Sequence, residues 1–218
     1  TLLPVYAAAL AVGLVVIASV VYITEAERPV PVTYAKRVRG MKFFGGASTY
    51  LPLRLNQAGV IPIIFALSFL LLPQMFASFF VTSANPILAG ISASILGAFQ
   101  NLALYGTLYF FLVFFFTYFY TAVTFDPKMI ADNLQKNGAF IPGVRPGEFT
   151  QEHLGKIITR ITMVGALFLG LIAVLPIIMQ SFTGIQTLAI GGTALLIVVS
   201  VILDLTRRID AQLSIREY

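Results

Sequence analysis

The 218-residue chain is strongly apolar, since 58% of its residues are hydrophobic, only 11% are charged and the net charge is +5. A soluble domain of this size carries about a quarter charged residues, so the composition indicates an integral membrane protein. The absence of cysteine excludes disulfides, thiolate metal sites and thiol nucleophiles. The single histidine, His153, lies outside the apolar runs, where an ordinary surface role is the usual one, so we expect neither a metal nor a cofactor.

Five apolar stretches are long enough to cross a bilayer, which takes roughly 20 helical residues. They lie at residues 2–23, 58–80, 102–124, 158–179 and 188–205. All 14 Lys and Arg fall in three segments: six in residues 24–57, five in residues 125–160 and three in the tail, residues 206–218. Basic residues mark the cytoplasmic side. We therefore expect an all-α polytopic membrane protein with its N-terminus outside, its C-terminus cytoplasmic, and cytoplasmic loops at 24–57 and 125–157.

The first cytoplasmic loop has the alternation of a β-hairpin, with apolar residues at every second position on both sides of a basic turn that contains Gly45-Gly46. Pro31 and Pro52 limit its sheet pairing. The alternating residues are Val30, Val32 and Tyr34, then Leu51, Leu53 and Leu55. The basic residues expected near the tip are Lys36, Arg37, Arg39 and Lys42. They are either a solvated positive-inside cluster or a docking surface, and the pattern alone leaves both open.

The second span carries helix-breaking residues near its cytoplasmic end. Gly59 loosens packing and Pro62 removes a backbone hydrogen bond, so we expect a bend there that could act as a hinge. The third span contains nine aromatic rings in the twelve residues YFFLVFFFTYFY. Rings on every side of a helix favour contact with lipid, and we assign this span no ligand.

The second cytoplasmic loop begins with start and stop signals for a short helix. Asp126 is the expected N-cap, Pro127 the first helical residue and Gly138 the residue after the last turn. Thr150 is the expected cap of a further helix that runs unbroken into the fourth span.

The connector between these helices, AFIPGVRPGEFT, contains two Pro-Gly pairs that suit type II turns. Arg145 lies between them and precedes a proline, which favours an extended conformation. The pattern predicts a guanidinium held at a loop tip, where much of its ordering entropy is lost before a partner arrives. A guanidinium suits a carboxylate or a phosphate.

The spans lack the groups that intramembrane chemistry needs. The only acid in any of them, Asp204, lies at a cytoplasmic end beside Arg207 and Arg208. Ion-coupled transporters usually place acids near mid-membrane, and intramembrane proteases need catalytic pairs or a metal motif. The sequence therefore favours a passive conduit over an enzyme. Half of a secondary transporter and a pore-less membrane scaffold are the alternatives.

Four motifs in series resemble the C-terminal half of the SecY family of bacterial protein-translocation channel subunits. They are ERPVPVTYAKR, LPLRLNQAGVIPIIFA, FDPKMIADNLQKNGAFIPGVRPGE and GGTALLIVVSVILD. The resemblance covers the chain essentially from end to end and makes its spans the sixth to tenth of ten. It implies a clamshell of two five-span halves around an hourglass pore in the bacterial cytoplasmic membrane. It also implies that the N-terminal half of the subunit is a partner of this chain.

The resemblance further implies roles for particular residues. Ile64 and Ile197 correspond to the apolar ring that seals the pore, where aliphatic groups exclude water without holding a passing polypeptide. The second and third spans correspond to a lateral gate through which signal sequences and nascent polypeptides reach membrane lipid. The gate positions that this chain contributes are Asn56, Val60, Pro62 and Ser68.

The resemblance implies partners for the two cytoplasmic loops. They correspond to the docking surface for the SecA motor ATPase and for the ribosome, whose RNA is a polyanion that basic side chains bind through phosphate. The corresponding residues are Arg145, Lys36, Arg37, Arg39, Lys42 and Lys136. A small SecE-like subunit is expected to brace the channel, with a SecG-like subunit nearby.

Overall fold

The computed structural model describes residues 3–34, 37–39, 42–44, 48–59 and 61–183, together with residues 194, 197–199, 201–202, 205–206, 209 and 212. The helices are α1 (Leu3–Glu25), α2 (Ile61–Phe80), α3 (Pro86–Gln100), α4 (Leu102–Thr124), α5 (Pro127–Lys136) and α6 (Glu148–Thr183). The strands are β1 (Glu27–Tyr34), β2 (Arg37–Arg39), β3 (Lys42–Phe44), β4 (Ser48–Arg54) and β5 (Ala139–Phe140).

Three helices of the described chain are long and apolar enough to cross a membrane: α2, the helical stretch that begins with α4, and α6. They match the second, third and fourth predicted spans. A helix, α1, also lies where the first span is expected. Most of the fifth predicted span, 188–205, lies outside the described residues.

The membrane helices α2, α4 and α6 pack around one apolar core. Its centre is the fully buried Tyr109 of α4, which lies among Leu70 of α2 and Leu169 of α6. Close approach of α4 and α6 depends on small residues, because a methyl group at Gly170 would come within 2.7 Å of the Phe110 ring.

A second core lies where the two charged loops meet. It joins the hairpin strands, β5, α5 and the first turns of α6, and we call this unit the loop module. Its buried residues are Val30, Val32, Leu53, Ala139, Ile141, Leu154, Ile157, Ile158 and Ile161. The three-stranded sheet has the order β4-β1-β5, so residues of the second loop pair with the first. The sequence indicates two separate loops, whereas they fold as one unit.

The predicted hairpin is confirmed, and it consists of two consecutive pairs of strands, or ribbons. Strands β1 and β4 pair antiparallel from Glu27↔Arg54 to Thr33↔Ser48, and β2 pairs with β3 from Arg37↔Phe44 to Arg39↔Lys42. Both ribbons share one register, so β2 and β3 continue the same hairpin. Its reversal falls between Arg39 and Lys42, whereas we expected the turn to include Gly45-Gly46, which lie outside the described residues.

Proline has less effect on this sheet than expected. Pro29 faces Pro52 in the register, and because neither has an N–H, this pair exchanges no hydrogen bonds. Strand β5 pairs only with Thr33 and Tyr34, so the edge of β1 beside its prolines has no second strand. The hairpin therefore keeps seven residue pairs between β1 and β4.

The expected bend near Pro62 is wrong. Helix α2 begins only at Ile61, so Pro62 lies in its first turn, where no intrahelical N–H is required. Gly59 precedes the helix with a φ of 61°, a left-handed conformation that suits glycine. The proline inside α2 is Pro73, which is the residue positioned to disturb the helix.

The predicted short helix is confirmed as α5, while the expected cap of the next helix is wrong. Asp126 accepts a hydrogen bond from the backbone of Lys128 as the N-cap of α5. Helix α6 begins at Glu148, so Thr150 lies inside it, and its hydroxyl donates to the carbonyl of Arg145 at 2.9 Å. The helix then runs unbroken through 36 residues, as expected.

Residues 81–101, which connect the second and third predicted spans, contain the 15-residue helix α3. Asn85 caps its start and Pro86 is its first residue, the same arrangement that marks α5. Asn101 follows as C-cap of α3 and N-cap of α4. The sequence therefore contains a start signal for α3, the pair Asn85-Pro86.

Candidate channel face and loop cleft

Helix α2, which carries three of the predicted gate and pore residues, has three distinct faces. One face is buried in the helical core and includes Ile63, Ala66 and Leu70. A second face is aromatic, and two of its rings, Phe65 and Phe69, lie 5.9 and 6.0 Å from Phe116 of α4 between ring centroids.

The third face of α2 is an exposed stripe that turns away from both the core and the aromatic face. At 3.6 residues per turn its members fall within about 60° of helix circumference. They are Ile64, Ser68, Leu71 and Met75, and we call them the Ile64 stripe. Ile64 is 43% exposed. The Ser68 hydroxyl donates to the carbonyl of Ile64 at 2.9 Å, which leaves the stripe with little free hydrogen-bonding capacity.

The other predicted ring residue, Ile197, lies on a helical fragment of the last predicted span and is half-buried. Its neighbour Val199 packs against Ile172 of α6, so this fragment contacts α6. Val60, a predicted gate residue, lies outside the described residues. A pore ring that includes Ile64 and Ile197 therefore stays a prediction.

Asn56 precedes α2 and is buried, with 7% of its surface exposed. Its amide nitrogen donates to the carbonyl of Gly59 at 3.2 Å, which stabilises the turn into the helix. Its side-chain oxygen Oδ1 is buried without a hydrogen-bond partner among the described residues. A buried acceptor of this kind is expensive unless a donor reaches it.

The base of the hairpin is fixed to the membrane helices. Glu27 and Arg54 form an ion pair at 3.2 Å, and the amide of Leu55 donates to Ala26. The carbonyl of Leu55 then lies against Gly165 of α6, so closely that a methyl group there would be 2.5 Å from the oxygen. The base of the hairpin is thus anchored against α6.

The hairpin places predicted docking residues at its far end. Arg37 and Arg39 lie on β2 and Lys42 on β3, next to the reversal, whereas Lys36 lies outside the described residues. Lys136 is the exposed last residue of α5. The loop module therefore carries cations both at its tip and beside the Pro-Gly connector.

The connector has the predicted turn geometry. Gly143 and Gly147 have φ of 82° and 95°, as type II turns require, and the amide of Val144 donates to Ile141 at 3.1 Å. Arg145 between them is exposed and takes part in no ion pair of the described chain. Its backbone is constrained by a turn on each side, and no carboxylate of the described residues pairs with its charge.

Arg145 borders a cleft of about 360 Å³ between the connector and the first turns of α6. The other cleft residues are Gly143, Val144, Phe149, Glu152, His153 and Lys156. Lys156 pairs with Glu152 at 2.6 Å, and this hydrogen bond lowers the pKa of the Glu152 carboxyl. The cleft therefore offers one unpaired guanidinium beside the exposed ring of Phe149. Sequence patterns do not predict that His153 and Arg145 border the same cleft, because their relative positions depend on where α6 begins, at Glu148.

The described fold is that of a multi-pass helical membrane protein, and it is similar to solved translocation channels. One structure, reported for the SecY plug domain and the closed state of its channel, aligns with a TM-score of 0.59 at 19% identity over 89% of this chain and 47% of that chain. A second, reported as a protein-conducting channel, aligns with a TM-score of 0.56 at 20% identity over 90% of this chain and 47% of that one.

The sequence comparison is more specific than the fold. The SecY family profile matches residues 2–206, and the chain belongs to the SecY family. It is 47% identical over 196 residues to the protein translocase subunit SecY of Thermus thermophilus and 42% identical over 209 residues to that of Thermotoga maritima. It covers 44% and 46% of those proteins, so it spans about half the length of these relatives. The family and the apolar helices make it a multi-pass protein of the bacterial cytoplasmic membrane.

Proposed function

We propose that this chain is the C-terminal half of a SecY-type subunit and supplies one half of a protein-conducting channel. Unfolded polypeptides cross the membrane through it or leave it sideways into lipid. The observation that carries the proposal is the Ile64 stripe, an exposed face of α2 that is separate from the core and from the aromatic face. Because the chain belongs to the SecY family, we assign the Ile64 stripe to the pore wall, where the N-terminal half of the subunit faces it across the pore.

The chemistry of the stripe suits a seal that must also release its substrate. Ile64 and Leu71 offer aliphatic surface, Met75 is flexible, and the Ser68 hydroxyl is occupied within its own helix. Such a surface excludes water and ions but makes no strong bond to a passing chain. Ile197 of the last span completes the ring from this half.

The lateral gate includes the start of α2. Asn56, Val60, Pro62 and Ser68 lie along or just before this helix in the sequence. The Oδ1 of Asn56 has no donor within the described part of the chain, which supports contact with a donor from the N-terminal half. Separation of the two halves breaks that hydrogen bond and opens a path to lipid. Signal sequences and membrane segments of nascent polypeptides leave by this path.

The orientation follows from the charges. The hairpin and the α5 connector face the cytoplasm, the N-terminus lies outside and five spans cross the membrane, with the last at residues 188–205. Proton or ion coupling has no support in this arrangement, because the apolar parts of α2, α4 and α6 carry no acidic residue. The chain is therefore a conduit rather than an enzyme or a secondary transporter, and a partner drives transport.

The loop module is the docking surface for that partner, the SecA motor or the ribosome. Arg145 lies between two glycines with positive φ, and β2 and β3 add Arg37, Arg39 and Lys42. Lys36, which lies outside the described residues, is proposed as a further docking residue. Arg145→Glu should abolish most SecA-driven transport while the amount of folded channel in the membrane stays unchanged. Lys128→Glu, a charge reversal on α5, is the matched control. Equal transport by the two variants contradicts the assignment.

Cross-linking of a polypeptide stalled in the channel tests the pore directly. The chain has no cysteine, so single cysteines at Ile64, Ile197 and Phe65 can be compared without background. Phe65 is the matched control, since it follows Ile64 on the same helix and is 53% exposed, yet belongs to the aromatic face. Adducts at Ile64 and Ile197 with none at Phe65 are expected. Adducts at Phe65 alone, or at none of the three, indicate a scaffold or a different path.

A further inference from the structure

Helix α3 joins two membrane-spanning helices without being able to span the membrane itself. It contains 15 residues and is therefore about 22 Å long, shorter than the roughly 30 Å hydrocarbon core. The whole segment 81–101 contains no charged residue. A loop in water rarely has such a composition, so the position of α3 relative to the bilayer needs an explanation.

The packing of α2 and α4 places the two helix ends that α3 connects at one depth. Phe116 of α4 packs against Phe65 and Phe69 of α2, so it lies level with residue 67, their midpoint. Leu102 precedes Phe116 by 14 residues, and Val81 follows residue 67 by 14. Because the two helices are antiparallel, the end of α2 and the start of α4 lie at the same level. Helix α3 is joined to this level by residues 81–85 at its start and by Asn101 at its end, and it is too short to reach the opposite membrane surface.

One side of α3 is apolar and exposed. Ile87 is 70% and Ile91 is 55% exposed, and Ser94 and Ala98 follow on the same helical face. The opposite side carries the buried Ser92 and is held to the core through Phe99, whose ring lies 6.4 Å from that of Tyr105 between centroids. Phe79 and Phe80 at the end of α2 are likewise exposed.

Several polar groups of α3 are bonded within the helix and its caps. The Ser94 hydroxyl donates to the carbonyl of Gly90 at 2.9 Å, which removes the only side-chain donor on the exposed face. Asn85 accepts from Ile87 at the start, and Pro86 has no N–H to satisfy. Asn101 donates its backbone N–H to Ala98 at the end. This degree of internal bonding suits a surface in contact with lipid.

We propose that α3 lies in the bilayer interface with the face formed by Ile87, Ile91, Ser94 and Ala98 inserted among lipid acyl chains. The partner is the lipid leaflet at the membrane face where α2 ends and α4 begins. This contact fixes the depth of that end of α2, the helix that carries the Ile64 stripe. The proposal depends on the membrane-spanning helices and does not depend on passage of a polypeptide.

Fluorescence quenching in lipid nanodiscs tests the proposal. Single cysteines at Ile87 and Ile91 receive a bimane label, and the lipids carry a nitroxide either near the headgroup or near the end of the acyl chain. Ala84, exposed in the linker before α3, and the buried Ser92 are controls. Reaction of each unlabelled cysteine with a water-soluble maleimide is measured in parallel. Nanodiscs expose both membrane faces, so the test is independent of orientation.

At Ile87 and Ile91 we expect slow maleimide reaction and a larger loss of fluorescence with the shallow nitroxide than with the deep one. Ala84 should react quickly and lose less fluorescence. Fast reaction without quenching at Ile87 and Ile91 places the face in water, and slow reaction without quenching shows that another part of the protein covers it. Stronger quenching by the deep nitroxide shows that α3 is inserted rather than surface-lying. Each of these three outcomes overturns the proposal.

Discussion

Gly165 of α6 is the point at which the loop module meets the membrane helices, and Gly165→Ala is the sharpest perturbation of this contact. The added methyl would lie 2.5 Å from the carbonyl oxygen of Leu55 and 3.4 Å from its carbon. Both atoms belong to the backbone, so either the hairpin base or α6 must move. Overpacking of this kind costs about 1–3 kcal/mol, whereas Gly→Ala inside a helix gains about 1 kcal/mol from propensity.

The same substitution elsewhere in α6 separates these two effects. Gly155 has no atom within 4 Å of an added methyl, so Gly155→Ala should show the propensity gain alone. Gly170→Ala meets the ring of Phe110 at 2.7 Å, and a side chain can move more cheaply than a backbone. We therefore expect Gly155→Ala to be the most stable of the three variants and Gly165→Ala the least, with about 1–3 kcal/mol between these two.

Unfolding of the purified protein by SDS in mixed micelles measures the free energy of unfolding for each variant. The rate of proteolysis within the hairpin provides a local readout, and it should rise for Gly165→Ala only. If Gly165→Ala is as stable as Gly155→Ala and its hairpin is equally protected, the hairpin does not lie against α6 as described.

Two further substitutions test the core and the start of α2. Tyr109 is fully buried, and its hydroxyl has no partner among the described residues. Tyr109→Phe should therefore leave the free energy of unfolding unchanged or raise it by up to about 1–3 kcal/mol. A decrease in this free energy of more than about 1 kcal/mol would instead show that the hydroxyl has a hydrogen-bond partner. Pro62 is buried in the first turn of α2, so Pro62→Ala should cost about 1–2 kcal/mol of buried methylene surface without altering the helix direction. Pro73→Ala should instead change the distance between spin labels at the two ends of α2, and an equal change for both variants would restore Pro62 as the bend.

Local signals in the sequence predict the elements whose ends carry specific chemistry. Asp126-Pro127 and Gly138 mark α5 because a side-chain acceptor, a missing N–H and a positive φ each act within a few residues. The hairpin is predictable because alternating Val30, Val32 and Leu53 face one core. The Asn85-Pro86 pair carries the same start signal for α3, but the apolar residues around it gave no contrast between buried and exposed sides.

Other features depend on contacts that local sequence does not encode. Strand β5 has two residues, too few to show a period, and it forms only because β1 offers a free edge beside Thr33 and Tyr34. The three faces of α2 are equally apolar, so periodicity cannot separate them, and only packing against Phe116 and Tyr109 distinguishes the Ile64 stripe. Hydrophobic patterning identifies a membrane helix far better than it identifies which side of that helix faces a pore.

A cysteine scan along α2 tests the central claim most directly. Each residue from Ile61 to Phe80 is replaced in turn in the reconstituted channel, and cross-linking to a polypeptide stalled during transport is measured. The account predicts adducts that repeat at about 3.6 residues and peak at Ile64, Ser68, Leu71 and Met75. Adducts that peak instead at Phe65, Phe69 and Phe76, or that show no helical period, would contradict a channel lined by this face.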